Sequence, residues 1–350
     1  MNYNYHSLKD NPTHQISIIL SLFLFSLLAV SFFFSDTPPP LSNELTASPN
    51  NNDPLGAALA AAATADKTLI IAMVNKAYVE EGDWPTMLEL FLDAFWLGEG
   101  TRELLDHLLL VAVDEISYDR CNFLHLLCYR LRLPPAGDNS SAAGDGEEKV
   151  FMSREFIGMM WRRTEFLGDV LARGYNFIFT DTDVLWLRNP FPRLTTTKTP
   201  DLQISTDRFD GNQWSRSNPI NTGFYMVRSN DRTISLFRSW YSLKDNSTGL
   251  KEQDVLQTLI REGPVHTRER LGVRVGFLDT LYFSGFCQGS RDIRAVVTVH
   301  ANCCRTILAK VADLRVVVGL WKRFRSNATS VDDSAVLANI AHVACANSWK

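Results

Sequence analysis

The chain has 350 residues and a formal net charge of −4 at pH 7, from 35 Lys and Arg against 39 Asp and Glu. This balance excludes a protein that binds nucleic acid through a strongly basic surface, because no net positive field attracts the phosphates. Apolar residues make up 45% and charged residues 21%, which are globular proportions and exclude a largely disordered chain.

The first feature along the chain is an apolar segment over residues 16–34, interrupted only by serines. As a helix it would be about 28 Å long, close to the thickness of a thin bilayer. It is longer than the apolar region of a cleaved signal peptide, which is the alternative interpretation. Lys9 precedes the segment and the next Lys or Arg is Lys67. The sequence therefore predicts a transmembrane signal anchor, with residues 1–15 in the cytosol and the remaining chain in the lumen.

Two further patterns agree with a luminal body. Glycosylation sequons begin at Asn139, Asn246 and Asn327, and all six cysteines follow the apolar segment. An even number of cysteines permits disulfides, but six allow 15 pairings and some could remain buried thiols. Residues 35–66 are rich in Pro, Asn, Ser and Ala, which indicates a stem that holds a luminal domain, residues 67–350, away from the membrane.

Short apolar segments alternate with helical periodicity through the luminal domain. Strands are predicted over 69–74, 108–113, 177–179, 202–205 and 223–227, and helices over 87–97, 156–171, 234–240 and 255–260. This alternation predicts an α/β fold in which helices cover both faces of a sheet.

Two aspartates, Asp181 and Asp183, directly follow the third predicted strand. Residues two apart in an extended chain point to the same side, and open α/β sheets bind ligands at the carboxyl ends of their strands. Carboxylate oxygens are preferred by hard divalent cations such as Mg²⁺, which phosphates often complete. The pattern alone also fits a phosphatase that forms an aspartyl-phosphate, although such motifs usually continue with a Gly-Thr turn and here Val184 follows.

Asp181-Thr182-Asp183 and the following Arg188-Asn189-Pro190-Phe191 resemble the D-x-D block of plant nucleotide-diphospho-sugar transferases, which include cell-wall arabinosyl- and xylosyltransferases. Other blocks of the resemblance occur in order over 69–321: Val74-Asn75-Lys76, Met160 to Tyr175, Asn221-Thr222-Gly223-Phe224, Glu252-Gln253-Asp254-Val255, Phe277-Leu278-Asp279-Thr280, Gly285-Phe286-Cys287 and Val299-His300-Ala301-Asn302-Cys303-Cys304. One departure is Arg305-Thr306, where a family-like glycine would follow Cys304. The resemblance implies a retaining enzyme of GT-A type, with a Rossmann-like mixed sheet flanked by helices.

The resemblance also implies roles for individual residues. The metal, Mn²⁺ or Mg²⁺, would be held by Asp181, Asp183 and His300. The donor would be bound by Asn75, Lys76, Arg162, Arg163, Asp181, Asn221 and Gly223. Gln253 and Asp254 would lie beside the anomeric carbon. Asp254 could be a nucleophile, a residue that positions the sugar, or only the N-cap of the helix over 255–260.

The function implied is that of a metal-dependent retaining glycosyltransferase. It would move a sugar, with a pentose such as arabinose or xylose favoured, from a UDP-sugar to a cell-wall glycan or glycoprotein. The expected location is the Golgi membrane, as a single-pass type II protein. The alternative is an inactive binding or scaffold protein on the same fold, against which the intact Asp181, Asp183 and His300 argue.

Overall fold

The computed structural model describes residues 53–80, 85–131, 154–194, 200–262, 272–326 and 342–350. The predicted anchor over 16–34, the first part of the predicted stem and the sequons at Asn139 and Asn327 lie outside these ranges. The remaining sequon asparagine, Asn246, is exposed. Within the described ranges, no helix has the length and apolar character needed to cross a membrane.

The body is organised by a seven-stranded mixed sheet with the strand order β3-β2-β1-β4-β7-β6-β8. Its strands are β1 (Thr68–Val74), β2 (Leu108–Ala112), β3 (Leu127–Arg130), β4 (Asn176–Thr180), β6 (Leu202–Thr206), β7 (Ile220–Val227) and β8 (Val275–Phe277). Strands β1 to β4 are parallel, β7 is antiparallel to both of its neighbours, and β8 is parallel to β6. The predicted α/β class with a mixed sheet is confirmed.

A second, three-stranded sheet has the order β5-β10-β9. Its strands are β5 (Val184–Trp186), β9 (Phe283–Gly285) and β10 (Thr298–His300). Strand β10 runs antiparallel to β5 and parallel to β9. Because β5 follows β4 after only three residues, this small sheet begins beside the carboxyl end of β4.

The helices predicted over 87–97, 156–171, 234–240 and 255–260 are present, each with bounds within three residues of the prediction. The helices of the structure are α1 (Pro54–Ala62), α2 (Lys76–Glu80), α3 (Met87–Leu97), α4 (Glu115–Phe123), α5 (Arg154–Ala172), α6 (Phe191–Leu194), α7 (Asp231–Ser242), α8 (Glu252–Glu262), α9 (Ile307–Arg325) and α10 (Val343–Asn347). Helix α3 coincides with the helix predicted over 87–97, and its start is fixed by a capping box between Thr86 and Glu89.

Alternating side chains of β1 enter different parts of the core. Leu69 and Ile71 belong to one cluster of buried residues, whereas Ile70 and Ala72 belong to another. This follows from the two-residue period of a strand, and it makes β1 apolar on both faces, as central parallel strands are. The sheet is thereby covered on both sides, and its strand ends are held in place.

Helix α1 lies in the segment predicted as a stem. Asp53 caps it by accepting a hydrogen bond from the Gly56 N–H, and a proline occupies its first turn. Leu55, Leu59 and Ala62 are buried in the same cluster as Leu69. The last part of the predicted stem therefore belongs to the folded body.

All six cysteines form disulfides, Cys121–Cys128, Cys287–Cys303 and Cys304–Cys345. The last two involve neighbouring residues in the loop after β10. Cys287–Cys303 ties that loop to the loop after β9, and Cys304–Cys345 ties it to α10. The sequence permitted such bonds but did not choose among the pairings.

Candidate functional site

Asp181 and Asp183 lie in the short loop between β4 and β5. The Asp181 N–H donates to the Gly223 carbonyl at 2.7 Å, which extends the pairing of β4 with β7 by one residue. Asp183 is 2% exposed, whereas Asp181 is partly exposed. Both carboxylates therefore stand at the carboxyl end of a buried strand, as the sequence predicted.

His300 reaches the same place from the end of β10. In the antiparallel pairing of β10 with β5, His300 is opposite Val184, and the Ala301 N–H donates to the Asp183 carbonyl at 3.0 Å. His300 Nε2 consequently lies 3.2 Å from Asp183 Oδ1. One ligand atom from each of Asp181, Asp183 and His300 lies within 4.8 Å of the others, and we call these three residues the Asp-Asp-His group.

Two observations show that the Asp-Asp-His group fits a divalent cation. Asp183 Oδ1 is buried and, apart from its contact with His300, has no hydrogen-bond partner in the described part of the chain. Gly223 leaves the space open, because a Cβ there would lie 2.3 Å from His300 Cε1 and 2.8 Å from Asp181 Oδ2. Two carboxylates and an imidazole are a donor set that Mn²⁺ and Mg²⁺ accept.

Lys310 is a site residue that the sequence analysis missed. It projects from the first turns of α9, and its Nζ lies 2.8 Å from Asp183 Oδ2. It matches no motif in the sequence, and its position depends on the loop that joins β10 to α9. A lysine within a helical pattern gave no signal that it is partly buried beside a carboxylate.

Burial and neighbouring charges shift the pKa values of Asp181, Asp183 and His300. Burial opposes ionisation of Asp183, but Lys310 and His300 outweigh it and hold the pKa of Asp183 well below its usual range. Burial would lower the pKa of His300, and the Asp183 carboxylate more than reverses this, so the pKa is raised. Burial and the neighbouring Asp183 raise the pKa of Asp181, although Arg163 opposes them. The two aspartates are therefore inequivalent.

Arg163 is buried beneath Asp181 and holds it in place. Its Nη1 donates to Asp181 Oδ1 at 3.0 Å, and its Nη2 donates to Glu252 Oε1 at 2.6 Å and Thr222 Oγ1 at 3.2 Å. The guanidinium also lies 4.6 Å from the ring centroid of Phe179. Glu252, 2% exposed, was not singled out from the sequence. Arg163 therefore orients the acidic side of the site through bonds to protein acceptors.

A cavity of about 300 Å³, which we call the site cavity, surrounds the Asp-Asp-His group. It is lined by several predicted residues: Asn75, Arg163, Asp181, Asp183, Asn221, Gly223, Gln253 and His300. It is also lined by residues that were not predicted to act there: Tyr78, Asp207, Glu252, Asn302, Lys310 and Trp349. Asp207 Oδ1 accepts hydrogen bonds of 2.8 Å from the side-chain amides of both Asn221 and Asn302.

Three predicted site residues are not among those that line the site cavity. Lys76 lies 3.9 Å from Glu80 in an i,i+4 ion pair, and Arg162 forms an ion pair with Glu165 on its own helix. Asp254 is the third residue of α8, so the helix begins earlier than predicted and Asp254 is not its N-cap. Its carboxylate instead accepts the Lys251 N–H at 3.3 Å. Arg162 and Asp254 thus do not line the site cavity, although the adjacent residues Arg163 and Gln253 do.

Gln253, by contrast, is held at the cavity wall. Its Oε1 accepts hydrogen bonds from the Thr222 N–H at 3.0 Å and from Thr222 Oγ1 at 3.2 Å. These bonds join the start of α8 to β7, the strand that also carries Gly223. The side-chain amide is therefore positioned by the same strand that keeps the space between Asp181 and His300 open.

The chain is similar in sequence to known nucleotide-sugar transferases. The sequence profile of the nucleotide-diphospho-sugar transferases matches residues 103–314. An uncharacterised Arabidopsis thaliana protein is 53% identical over 300 residues, which is 85% of this chain and 84% of that protein. A Dictyostelium discoideum UDP-galactose:fucoside alpha-3-galactosyltransferase is 38% identical over 170 residues, 44% of this chain and 26% of that protein. An Arabidopsis UDP-D-xylose:L-fucose alpha-1,3-D-xylosyltransferase is 26% identical over 199 residues, 54% of this chain and 50% of that protein.

The matched profile covers the sheet from β2 onwards, the D-x-D loop, the Gln253 segment and β10 with His300. The resemblance inferred from the sequence is confirmed, and so is the mixed α/β architecture expected of a GT-A-like transferase. The chain belongs to the nucleotide-diphospho-sugar transferase family and is a nucleotide-sugar glycosyltransferase.

Proposed function

We propose that the enzyme uses a divalent cation to transfer a sugar, with retention of configuration, from a UDP-sugar to a glycan or glycoprotein of the cell wall. The observation that carries the metal dependence is the convergence of Asp181, Asp183 and His300 within 4.8 Å around Asp183 Oδ1, a buried oxygen that, within the described residues, has no hydrogen-bond partner apart from its contact with His300. A pentose donor is favoured by the family resemblance, and the xylosyltransferase relative supports it. The galactosyltransferase relative makes galactose the competing donor.

Asp181, Asp183 and His300 would hold the ion, with Mn²⁺ favoured and Mg²⁺ as the alternative. When bound, the ion would act as a Lewis acid toward the diphosphate and stabilise the charge that develops as the diphosphate leaves. Arg163 holds Asp181 in position through its 3.0 Å bond. The low pKa of Asp183 keeps its carboxylate ionised at the pH of any secretory compartment, so it stays ready to bind.

Lys310 would supply a second positive charge next to the leaving diphosphate. Its partly buried ammonium contacts Asp183, and it comes from the N-terminal turns of α9, where the helix dipole also favours an anion. Asn75 and Tyr78 line both the site cavity and a smaller recess beside it that reaches the end of β1. We assign the nucleoside to the part of the site cavity beside this recess, where Asn75 and Tyr78 lie, and the diphosphate to the space between these residues and Lys310.

Retention is proposed to occur on one face of the sugar. Gln253 lines the site cavity, whereas Asp254 is not among the lining residues, so Asp254 is poorly placed to be a nucleophile. In the proposed step, the bond from the anomeric carbon to the phosphate oxygen breaks, and the acceptor oxygen forms the new bond from the same face. The acceptor proton passes to the leaving phosphate oxygen, and Gln253 positions the sugar.

The test uses the purified luminal body with UDP-xylose, UDP-arabinose and UDP-galactose, with Mn²⁺ or with a chelator. We expect donor-dependent release of UDP with the ion and loss of that release in chelator. NMR of the product linkage should show the anomeric configuration of the donor. An inverted coupling would reject retention, and wild-type UDP release in chelator would reject the metal assignment. Absence of UDP release with every donor would favour a scaffold protein.

We also propose that the enzyme is a single-pass type II protein of the Golgi membrane, anchored by residues 16–34. The three disulfides support an oxidising compartment for the body, and exposed Asn246 is available for glycosylation. In sealed microsomes, added protease should spare the body, and glycosidase should reduce its mass. Digestion of the body from outside would reject this orientation, and a mature chain beginning near Ser35 would reject the anchor.

A further inference from the structure

Segment 342–350 is fastened to the entrance of the site cavity. The Cys304–Cys345 disulfide joins it to the loop after β10. The Cys345 N–H donates to Asp313 Oδ2 at 2.8 Å, and the His342 ring stacks on Phe286 with centroids 3.6 Å apart. These contacts hold the segment against α9 and the loop that follows His300.

Trp349 is the residue that this segment brings to the site cavity. Its side chain lines the cavity although Trp349 remains 48% exposed. Its indole Nε1 donates to the Cys303 carbonyl at 2.9 Å, and the Arg305 guanidinium lies 4.2 Å from the ring centroid. The Arg305 N–H in turn donates to Ser348 Oγ at 3.0 Å. The indole is therefore fixed in place before any ligand arrives, which lowers the entropic cost of binding.

Trp349 does not line the recess beside which the nucleoside is assigned. The recess shares Asn75, Tyr78 and Arg163 with the site cavity, but neither Trp349 nor Arg305 lines it. In the cavity, Trp349 accompanies Cys303, Cys304 and Arg305, and we call these four residues the disulfide rim. Because the proposed donor extends from Asn75 and Tyr78, beside this recess, toward the Asp-Asp-His group, the disulfide rim is left for the molecule that receives the sugar.

We propose that Trp349 is a platform on which a sugar ring of the acceptor glycan stacks, and that Arg305 covers the opposite face of the indole. This proposal rests on the transferase function proposed above. A sugar ring has one face of C–H groups, and an aromatic ring buries such a face with little loss of conformational entropy. The Trp349 indole is half-exposed, is held by a hydrogen bond and a cation, and lines the site cavity. It can therefore bind the C–H face of a sugar ring.

The test compares Trp349→Ala with Trp96→Ala. Trp96 is a matched control, because it is 56% exposed, has the Arg102 guanidinium 4.2 Å from its ring, and does not line the site cavity. Each variant is assayed for donor hydrolysis without acceptor, and for transfer to the methyl glycosides of L-fucose, L-arabinose and D-galactose. For Trp349→Ala we expect the acceptor KM to rise about tenfold or more, with donor hydrolysis within about twofold of wild type. Trp349→Phe should recover part of the loss.

The outcomes separate this proposal from the proposed function. Equal losses in donor hydrolysis and transfer would place Trp349 on the donor and overturn the platform. An unchanged acceptor KM, or an equal effect from Trp96→Ala, would also overturn it. A wild-type enzyme that hydrolyses the donor but transfers to none of the three glycosides would reject a sugar ring as the occupant. If the wild type did not hydrolyse any donor, the transferase function itself would fail.

Discussion

The two sides of the site cavity are built in different ways. The side with Asp181 and Asp183 comes from one continuous turn between β4 and β5, and its position follows from where an apolar strand ends. The opposite side, with His300, Lys310 and Trp349, is assembled by the pairing of β10 with β5 and by the Cys304–Cys345 disulfide. Activity should therefore fall when a charge is removed from the first side. On the second side, activity should fall when a contact that holds the loop after β10 is removed.

The largest expected effect is at Asp183. Asp183→Asn removes the ionised ligand shared by His300 and Lys310, and we expect transfer to fall by at least about 10²-fold, or about 2.7 kcal/mol. Mn²⁺ should raise the melting temperature of the wild type and not that of the variant. Asp93→Asn, at an exposed position of α3, is the control and should behave as wild type. Near-normal turnover in a folded Asp183→Asn variant would contradict the metal assignment.

Gly223→Ala tests whether the two sides really converge. The added Cβ would lie 2.3 Å from His300 Cε1 and 2.8 Å from Asp181 Oδ2, so one side must move away from the other. We expect the apparent Mn²⁺ affinity to fall about tenfold or more, because one ligand can no longer reach. Gly319→Ala is the control, since a Cβ at Gly319 meets nothing within 4 Å. Wild-type Mn²⁺ binding by Gly223→Ala would show that Asp181 and His300 do not share an ion.

The same contrast explains what the sequence could predict. The strand ending at Thr180 and the carboxylates after it are local features, so periodicity and spacing located Asp181 and Asp183. His300 was assigned by resemblance, and only the pairing of distant strands places it beside Asp183. Lys310 gave no signal, because a lysine in a helix is ordinarily solvated and its burial depends on the preceding loop.

Helix faces account for the remaining differences. Arg162 and Arg163 are adjacent, and so are Gln253 and Asp254, but successive residues of a helix point about 100° apart. Arg163 and Gln253 face the site cavity, whereas their neighbours do not line it. The sequence alone did not show which of two adjacent helical residues points into the site cavity. The helix over 54–62 lies in the segment predicted as a stem, because an alanine-rich composition is typical both of a stem and of a helix.

The third prediction concerns a variant that loosens only the side of the site cavity that carries Trp349. Cys304→Ser/Cys345→Ser removes the bond that anchors α10, and we expect the acceptor KM to rise about fivefold while donor hydrolysis stays within about twofold. The reason is that Trp349 would lose its fixed position, whereas the Cys287–Cys303 disulfide and the pairing of β10 with β5 would still hold the loop that carries His300 and leads to Lys310. Cys121→Ser/Cys128→Ser is the control, because that disulfide joins α4 to β3. Equal kinetic effects from both double variants would indicate a general loss of structure.

The smallest effect on activity is expected at Asp201, which lies outside both sides of the cavity. Asp201 is 3% exposed and accepts hydrogen bonds from the Arg232 side chain at 2.6 and 3.1 Å, from Asn230 Nδ2 at 3.2 Å and from the Arg274 N–H at 3.0 Å. Burial opposes its ionisation, but Arg232 and Arg274 prevail and lower its pKa from 3.8. At pH 7, Asp201→Asn should reduce the free energy of unfolding by about 1–3 kcal/mol and leave kcat unchanged.

The pH dependence of that loss identifies its cause. Because the pKa of Asp201 is lower in the folded state, its ionised form contributes fully above the unfolded value of 3.8, and the contribution disappears as pH falls through the folded value. The free energies of unfolding of wild type and Asp201→Asn, measured with denaturant, should therefore differ at pH 7, and the difference should shrink as pH falls below 3.8. Asp93→Asn, whose side chain is exposed, should follow the wild type throughout. A gap that stayed constant over this range would mean that packing, and not the charge of Asp201, stabilises the start of β6.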